Sequence, residues 1–140
     1  VMILGSLIAL GARLDATALT VSTIGLLLVS ELLLINQIPD ADADRKVGRR
    51  HLVITLGKTA AARLVGLLLL GSYGILEAAI WIGWLPLWTA LAFAPLPAAI
   101  WISVKLPGAL NRPEQFNTLL GINVGVLLAT LALLICGLSL

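Results

Sequence analysis

The 140-residue sequence is poor in charge, sulfur and imidazole. Only 11% of its residues are charged, and it holds one cysteine, one methionine and one histidine. A soluble domain carries about a quarter charged residues, so this chain has too little charge to coat a globule in water. A single cysteine, Cys136, excludes a disulfide scaffold. Its place in a long apolar run predicts a buried, inert thiol. With one histidine and one distant cysteine, a zinc centre is not expected. Nor does the chain open with the basic region and small-residue cleavage site of a secretory signal. What is abundant excludes disorder and collagen: 60% of residues are hydrophobic and mean hydropathy is +1.09. Such a composition belongs in a bilayer.

A spanning helix takes about 20 mostly apolar residues. Four stretches qualify: Thr17–Ile35, Leu64–Ile82, Leu85–Val104 and Phe116–Leu140. Glu31 is the one charge in the first and Glu77 the one in the second; the other two have none. Val1–Ala12 is uncharged but short, which predicts a fifth helix that begins upstream or lies at the interface. The fold class expected is therefore all-α, a multi-pass transmembrane bundle of about five helices. Because the chain opens inside an apolar run, it reads as the middle of a longer protein. Pro95 and Pro97 predict a kink in the fourth long span. Gly66, Gly71, Gly74, Gly121 and Gly125 are spaced for close helix contact. Pro107, Gly108 and Pro113 predict a polar, non-helical turn over Lys105–Gln115.

The few charges are concentrated. Nine of sixteen lie between Asp40 and Arg63, three of them aspartates and six basic. Positive loops mark the cytoplasmic side, which puts the 36–58 loop and the Lys105–Gln115 turn there and the C-terminus outside. Trp81, Trp84 and Trp88 then gather at the outer turn as interface anchors. With a net charge of +2, nothing calls for nucleic acid as a partner. The basic loop by itself would also suit a non-catalytic membrane scaffold or transport subunit facing anionic lipid.

The order of residues in the loop argues for more. Asn36, Asp40 and Asp44 are four apart, so on a helix they share one stripe, while Asp42 points elsewhere. Carboxylates on one face repel unless a cation sits between them. Mg²⁺ suits that need, taking one or two carboxylates, waters and phosphate oxygens. Lys46, Arg49 and Arg50 follow at once and can hold the remaining phosphate charge. Beside an apolar bundle, this chemistry points to a substrate with a phosphorylated head and a lipid tail. An EF-hand does not fit, because Arg45 and His51 stand where that loop needs glycine and glutamate. His51 alone reads as a solvated or capping residue.

The run Asn36-x3-Asp40-x3-Asp44-x3-Gly48-Arg49-Arg50-x-Leu52, followed by Leu56-Gly57, resembles the second aspartate-rich motif of the UbiA superfamily of intramembrane prenyltransferases. CDP-alcohol phosphotransferases share an Asp-x3-Asp ending, but Asn36 stands where they need glycine and their upstream motif is missing. The UbiA resemblance implies a nine-helix fold of which residues 1–140 are the C-terminal half. It implies Mg²⁺-dependent transfer of a polyprenyl group from its diphosphate to an aromatic acceptor. The Ile38-Pro39-Asp40 run and the Gly-Arg-Arg-x-Leu ending are most similar to the menaquinone-type branch, although His51 replaces the threonine usual there. Asp40 and Asp44 would be the catalytic, metal-binding carboxylates, with Asn36 assisting at the metal. Lys46, Arg49 and Arg50 would bind diphosphate. Membrane lipid and the N-terminal half, which carries the family's first motif, would be the partners, and residues 1–140 alone are expected to be inactive. Glu31 fits an acceptor-side or a structural role equally, and Glu77 no catalytic one.

Overall fold

Asp15 starts the first long helix by accepting a hydrogen bond from Ala18 N at Oδ1, 2.8 Å, a side-chain cap for an otherwise orphaned donor. The computed structural model describes Gly5 and residues 15–140. The short span expected over Val1–Ala12 lies, Gly5 apart, outside the described residues. From Asp15 the chain forms α1 (Ala16–Lys46), α2 (Leu52–Leu56), α3 (Lys58–Ile82), a 3₁₀ segment (Leu87–Phe93), α4 (Leu96–Ala109) and α5 (Pro113–Ser139). No strand occurs among the described residues. Helices α1, α3 and α5 are each long and apolar enough to cross a membrane. The 3₁₀ segment and α4, bent by 40° at their junction, are apolar enough only as a pair, as one broken span or a re-entrant loop. The all-α, multi-pass expectation holds.

The bend has a local cause. Pro95 and Pro97 lack the N–H groups that would bond back to Leu91 and Phe93 in a continuous helix. Leu91 O instead accepts from Ala94 N at 3.1 Å, which tightens the chain into 3₁₀ geometry before α4 starts. By contrast, Pro107 and Gly108 do not end α4, which runs through both to Ala109. The turn expected over Lys105–Gln115 shrinks to Leu110–Arg112, with Pro113 opening α5, a position where its missing N–H costs nothing.

Helix α3 packs mainly on α1 and then on α4, α4 packs next on α5, and the 3₁₀ segment makes its largest contact with α5. The buried faces repeat every three or four residues, as Ile24, Leu28, Glu31, Ile35 and Ile38 on α1 and Val65, Leu69, Tyr73 and Leu76 on α3. At mid-bundle α1 also meets α5, where Asn123 Nδ2 donates to Glu31 Oε1 at 3.0 Å and Oε2 at 3.1 Å. Both side chains are fully buried. Tyr73 and Thr130 add a second polar tie, hydroxyl to hydroxyl at 2.7 Å, between α3 and α5. Glu31 thus sits in the core as a link between helices.

The glycines divide unexpectedly. Of the five picked out by spacing, only Gly66 has a close neighbour, Ser103 on α4, whose Cβ would lie 3.1 Å from an added methyl. Gly71, Gly74, Gly121 and Gly125 meet open space among the described residues. The tight contact is at Gly137, where an added Cβ would come within 2.5 Å of Trp88 O and 2.6 Å of Thr89 Cα. Cys136 beside it is exposed, correcting the expected burial: one residue is about 100° of helix, enough to turn it from the 3₁₀ segment to the bundle surface. Trp81, Trp84 and Trp88 are all exposed at the turn after α3. There Thr17 Oγ1 donates to Trp84 O at 2.7 Å, tying the start of α1 to the same end.

Candidate active site

At the opposite end from those tryptophans, α1 carries on beyond its apolar stretch. The 36–58 segment was expected to be a loop, but Asn36–Lys46 is helical and only the stretch after it turns. Ile38 and Ala41 keep one face of this extension buried. Arg45 and Lys46 in its last turn complement the negative end of the helix dipole. The helix passes through Pro39, whose ring is exposed.

Gly48 ends it. With φ at 77°, in the left-handed region favoured by glycine, Gly48 donates to Arg45 O at 3.2 Å and Arg49 N to Asp44 O at 3.0 Å. This pair of bonds is a Schellman cap. It reverses the chain so that Arg49 returns over the last turn, where its Nη1 donates to Asp44 Oδ1 at 2.9 Å. The same reversal brings His51 Nε2 to 3.2 Å from Asp44 Oδ2. That approach lacks hydrogen-bond alignment, leaving both ring nitrogens without a bonded partner among the described residues. The four-residue step from Asp44 to Gly48 is therefore the distance a helix end needs to fold its own follow-on arginine onto the aspartate.

Asn36, Asp40 and Asp44 do share a stripe on this continuous helix. Each step rises about 6 Å and turns about 40° beyond a full circle. Asp40 lies roughly 160° around the helix from the buried Ile38, and Asn36 and Asp40 are exposed. The Asp44 side chain, by contrast, is only 17% exposed. Asn36 Nδ2 donates to Leu32 O at 2.8 Å, so its amide oxygen is the atom left for another partner. Asp42 points to the other side, where Lys58 Nζ donates to its Oδ2 at 2.7 Å. That bond and the lysine charge hold the Asp42 carboxyl below the usual aspartate range. The contact clasps the end of α1 to the start of α3 across the turn and α2. Lys46 and Arg50 are exposed and form no ion pair among the described residues.

The donor set suits a hard divalent cation. Two carboxylates and an amide oxygen lie along one stripe, Asn36 and Asp40 exposed and Asp44 17% exposed beneath Arg49 and His51, and Mg²⁺ asks for one or two carboxylates, completing its shell with water and phosphate oxygens. Among the described residues no three Asp, Glu, His or Cys side chains gather around one point, which disfavours an all-protein cage. Arg49, paired with Asp44, is 72% exposed. Such surface pairs are worth about 0–1 kcal/mol, so a stronger partner can exchange for either side.

Sequence reasoning missed four contacts here, the Arg49–Asp44 pair and three others. His51 on Asp44 follows from the reversal at Gly48, whose Asp-x3-Gly spacing was its one visible signal. Lys58 on Asp42 and Asn123 on Glu31 join residues far apart in sequence, and spacing carries no trace of either.

Three long apolar helices, a bent apolar pair and an aspartate stripe at a helix end fit a multi-pass integral membrane protein. The family model described as the UbiA prenyltransferase family matches residues 1–124, and the chain belongs to that family. No curated protein and no solved structure matches it.

Proposed function

We propose that the chain supplies the second aspartate-rich half of a Mg²⁺-dependent prenyltransferase, which moves a polyprenyl group from its diphosphate to an aromatic acceptor of the naphthoquinone-precursor, menaquinone type. The observation that carries this reading is the helical Asn36–Asp40–Asp44 stripe, followed at once by Lys46, Arg49 and Arg50 at and beyond a chain reversal, in a UbiA-family protein. The motif end would be cytoplasmic, as its basic residues suggest. Because Asn36 and Asp40 are exposed on these helices, the other wall of the site would come from outside them. The N-terminal half of the family fold would provide it.

In the mechanism, Asp40 and Asp44 would hold a divalent cation, with Asn36 assisting directly or through a bound water. The bound cation supplies charge stabilisation to the diphosphate leaving group. Lys46 and Arg50 contact the diphosphate oxygens as negative charge builds there, which lowers the barrier most where the field is preorganised. Arg49 leaves Asp44 for the diphosphate, since its exposed pair holds it weakly. The bond between the allylic carbon and the diphosphate oxygen breaks with its electron pair on oxygen. The acceptor's electron-rich ring carbon then bonds to the allylic carbon and releases a proton. Apolar walls keep water from the cation-like carbon.

The test is prenyl transfer by the full-length protein reconstituted in vesicles, with Mg²⁺ and a polyprenyl diphosphate. Asp40→Asn and Asp44→Asn should each abolish turnover. Asp42→Asn, on the other side of the helix, should keep most of it. Near-normal rates in both Asp40 and Asp44 variants would overturn the assignment. A non-catalytic scaffold would bind no diphosphate in a Mg²⁺-dependent way.

A further inference from the structure

A groove of about 540 Å³ opens between α4 and α5 at the motif end of the bundle. It is lined by Trp101 and Lys105 of α4, by Arg112 of the intervening turn, and by Gln115, Thr118 and Leu119 of α5. Neither Asp40 nor Asp44 lines it, and the motif residues nearest this turn, Pro39 and Lys58, border a different cavity with Pro113 and Phe116. The groove is independent of the proposed prenyl-transfer site.

Its lining is graded. The polar end holds Lys105 and Arg112, two cations with no carboxylate among the lining residues. Arg112 Nη1 reaches Gln115 Oε1 only at 3.4 Å, a long contact that leaves most of its five donors uncommitted. About one helical turn deeper, toward the middle of the span, stand Trp101 and Leu119. Trp101 is 44% exposed, an amphipathic ring at the depth where headgroups give way to acyl chains. Volumes of 300–1,000 Å³ are typical of small-molecule sites, and basic pockets between membrane helices recognise anionic headgroups. A free inorganic anion would use the cations but gain nothing from the apolar half.

We infer that this groove is a binding site for an anionic phospholipid, its phosphate held between Lys105 and Arg112 and its upper acyl chain lying over Trp101 and Leu119. Gln115 and Thr118 supply neutral hydrogen-bonding groups for the glycerol and phosphodiester oxygens. A zwitterionic lipid brings its own ammonium into the same basic end and is disfavoured.

Native mass spectrometry of the delipidated full-length protein in neutral detergent tests this, with phosphatidylglycerol, phosphatidylcholine and inorganic phosphate as separate probes. Phosphatidylglycerol should form a saturable one-to-one adduct that phosphatidylcholine and inorganic phosphate do not match. Lys105→Gln with Arg112→Gln should weaken it by about 30-fold, at roughly 1 kcal/mol for each charge. Lys105→Arg with Arg112→Lys should retain it, which separates charge recognition from loss of fold. Equal binding of phosphatidylglycerol by wild type and the glutamine double variant would overturn the site. Inorganic phosphate matching phosphatidylglycerol would overturn its lipid character. Displacement of phosphatidylglycerol by geranyl diphosphate would assign the groove to the transferase substrate instead, also overturning the inference.

Discussion

Gly137→Ala should loosen the outer end of the bundle, and the cost follows from distances. The new methyl would lie 2.5 Å from Trp88 O, 2.6 Å from Thr89 Cα and 2.7 Å from Thr89 N. Non-bonded carbon contacts settle near 3.5–4.0 Å, so α5 and the 3₁₀ segment must separate by about 1 Å. The obstructing atoms are backbone, and no side chain can swing away to relieve them. Overpacking of this kind costs about 1–3 kcal/mol. Replacing a helical glycine by alanine returns about 0.5–1 kcal/mol, leaving a net loss of roughly 0–2.5 kcal/mol. Gly125→Ala meets nothing within 4 Å and keeps only the gain. Reversible unfolding in mixed detergent–SDS micelles, followed by circular dichroism, should therefore rank the proteins Gly125→Ala, wild type, Gly137→Ala in falling stability. If Gly137→Ala matches or exceeds Gly125→Ala, the crossing of the 3₁₀ segment over α5 is not as close as described, and the reasoning fails.

Gly48→Ala should cost about 1–2 kcal/mol from left-handed backbone strain alone, since an added Cβ meets nothing there; the same unfolding assay would detect it, and prenyl transfer should fall as Arg49 loses its approach to Asp44. Asn123→Leu removes both donors to the buried Glu31 and should destabilise by about 1–3 kcal/mol, with Glu31→Gln partly restoring stability in the double variant; purely additive losses would disprove the coupling. The Asp42–Lys58 clasp should be acid-sensitive. Because Asp42's folded pKa is depressed, its contribution is complete above the ordinary aspartate pKa and fades as pH falls through the lower folded value. Thermal melts of wild type and Asp42→Asn should differ slightly at neutral pH and converge in strong acid.

The spans were legible because a long apolar run in lipid has one backbone solution, a helix that bonds to itself. Their ends were not. Charge was read as the end of helix at Asn36, yet α1 continues because Ile38 and Ala41 still find the core and the backbone still bonds internally. Pro107 and Gly108 looked like breakers, but packing in α4 outweighs their local preference, as membrane helices permit. The kink at Pro95 and Pro97 was visible, since a missing N–H cannot be replaced by context. Its consequence was hidden: the 3₁₀ segment it creates is what presses on Gly137, a contact written in two places 49 residues apart. At the motif, spacing revealed the shared stripe of Asn36, Asp40 and Asp44. The pairing of Arg49 with Asp44 needed the geometry of the Gly48 cap.

Helix α1 keeps its two tasks on opposite sides. Ile24, Leu28, Glu31, Ile35 and Ile38 hold it to its neighbours, while Asn36 and Asp40 look outward. Under the proposed function, changes to Asn36 and Asp40 would retune the chemistry at little cost to folding, and changes to the inward residues would retune folding without touching those two groups. For Asn36 and Asp40 activity and stability would then be free to evolve separately, an independence not shared by Asp44, whose carboxylate is tied to the Gly48 reversal through Arg49.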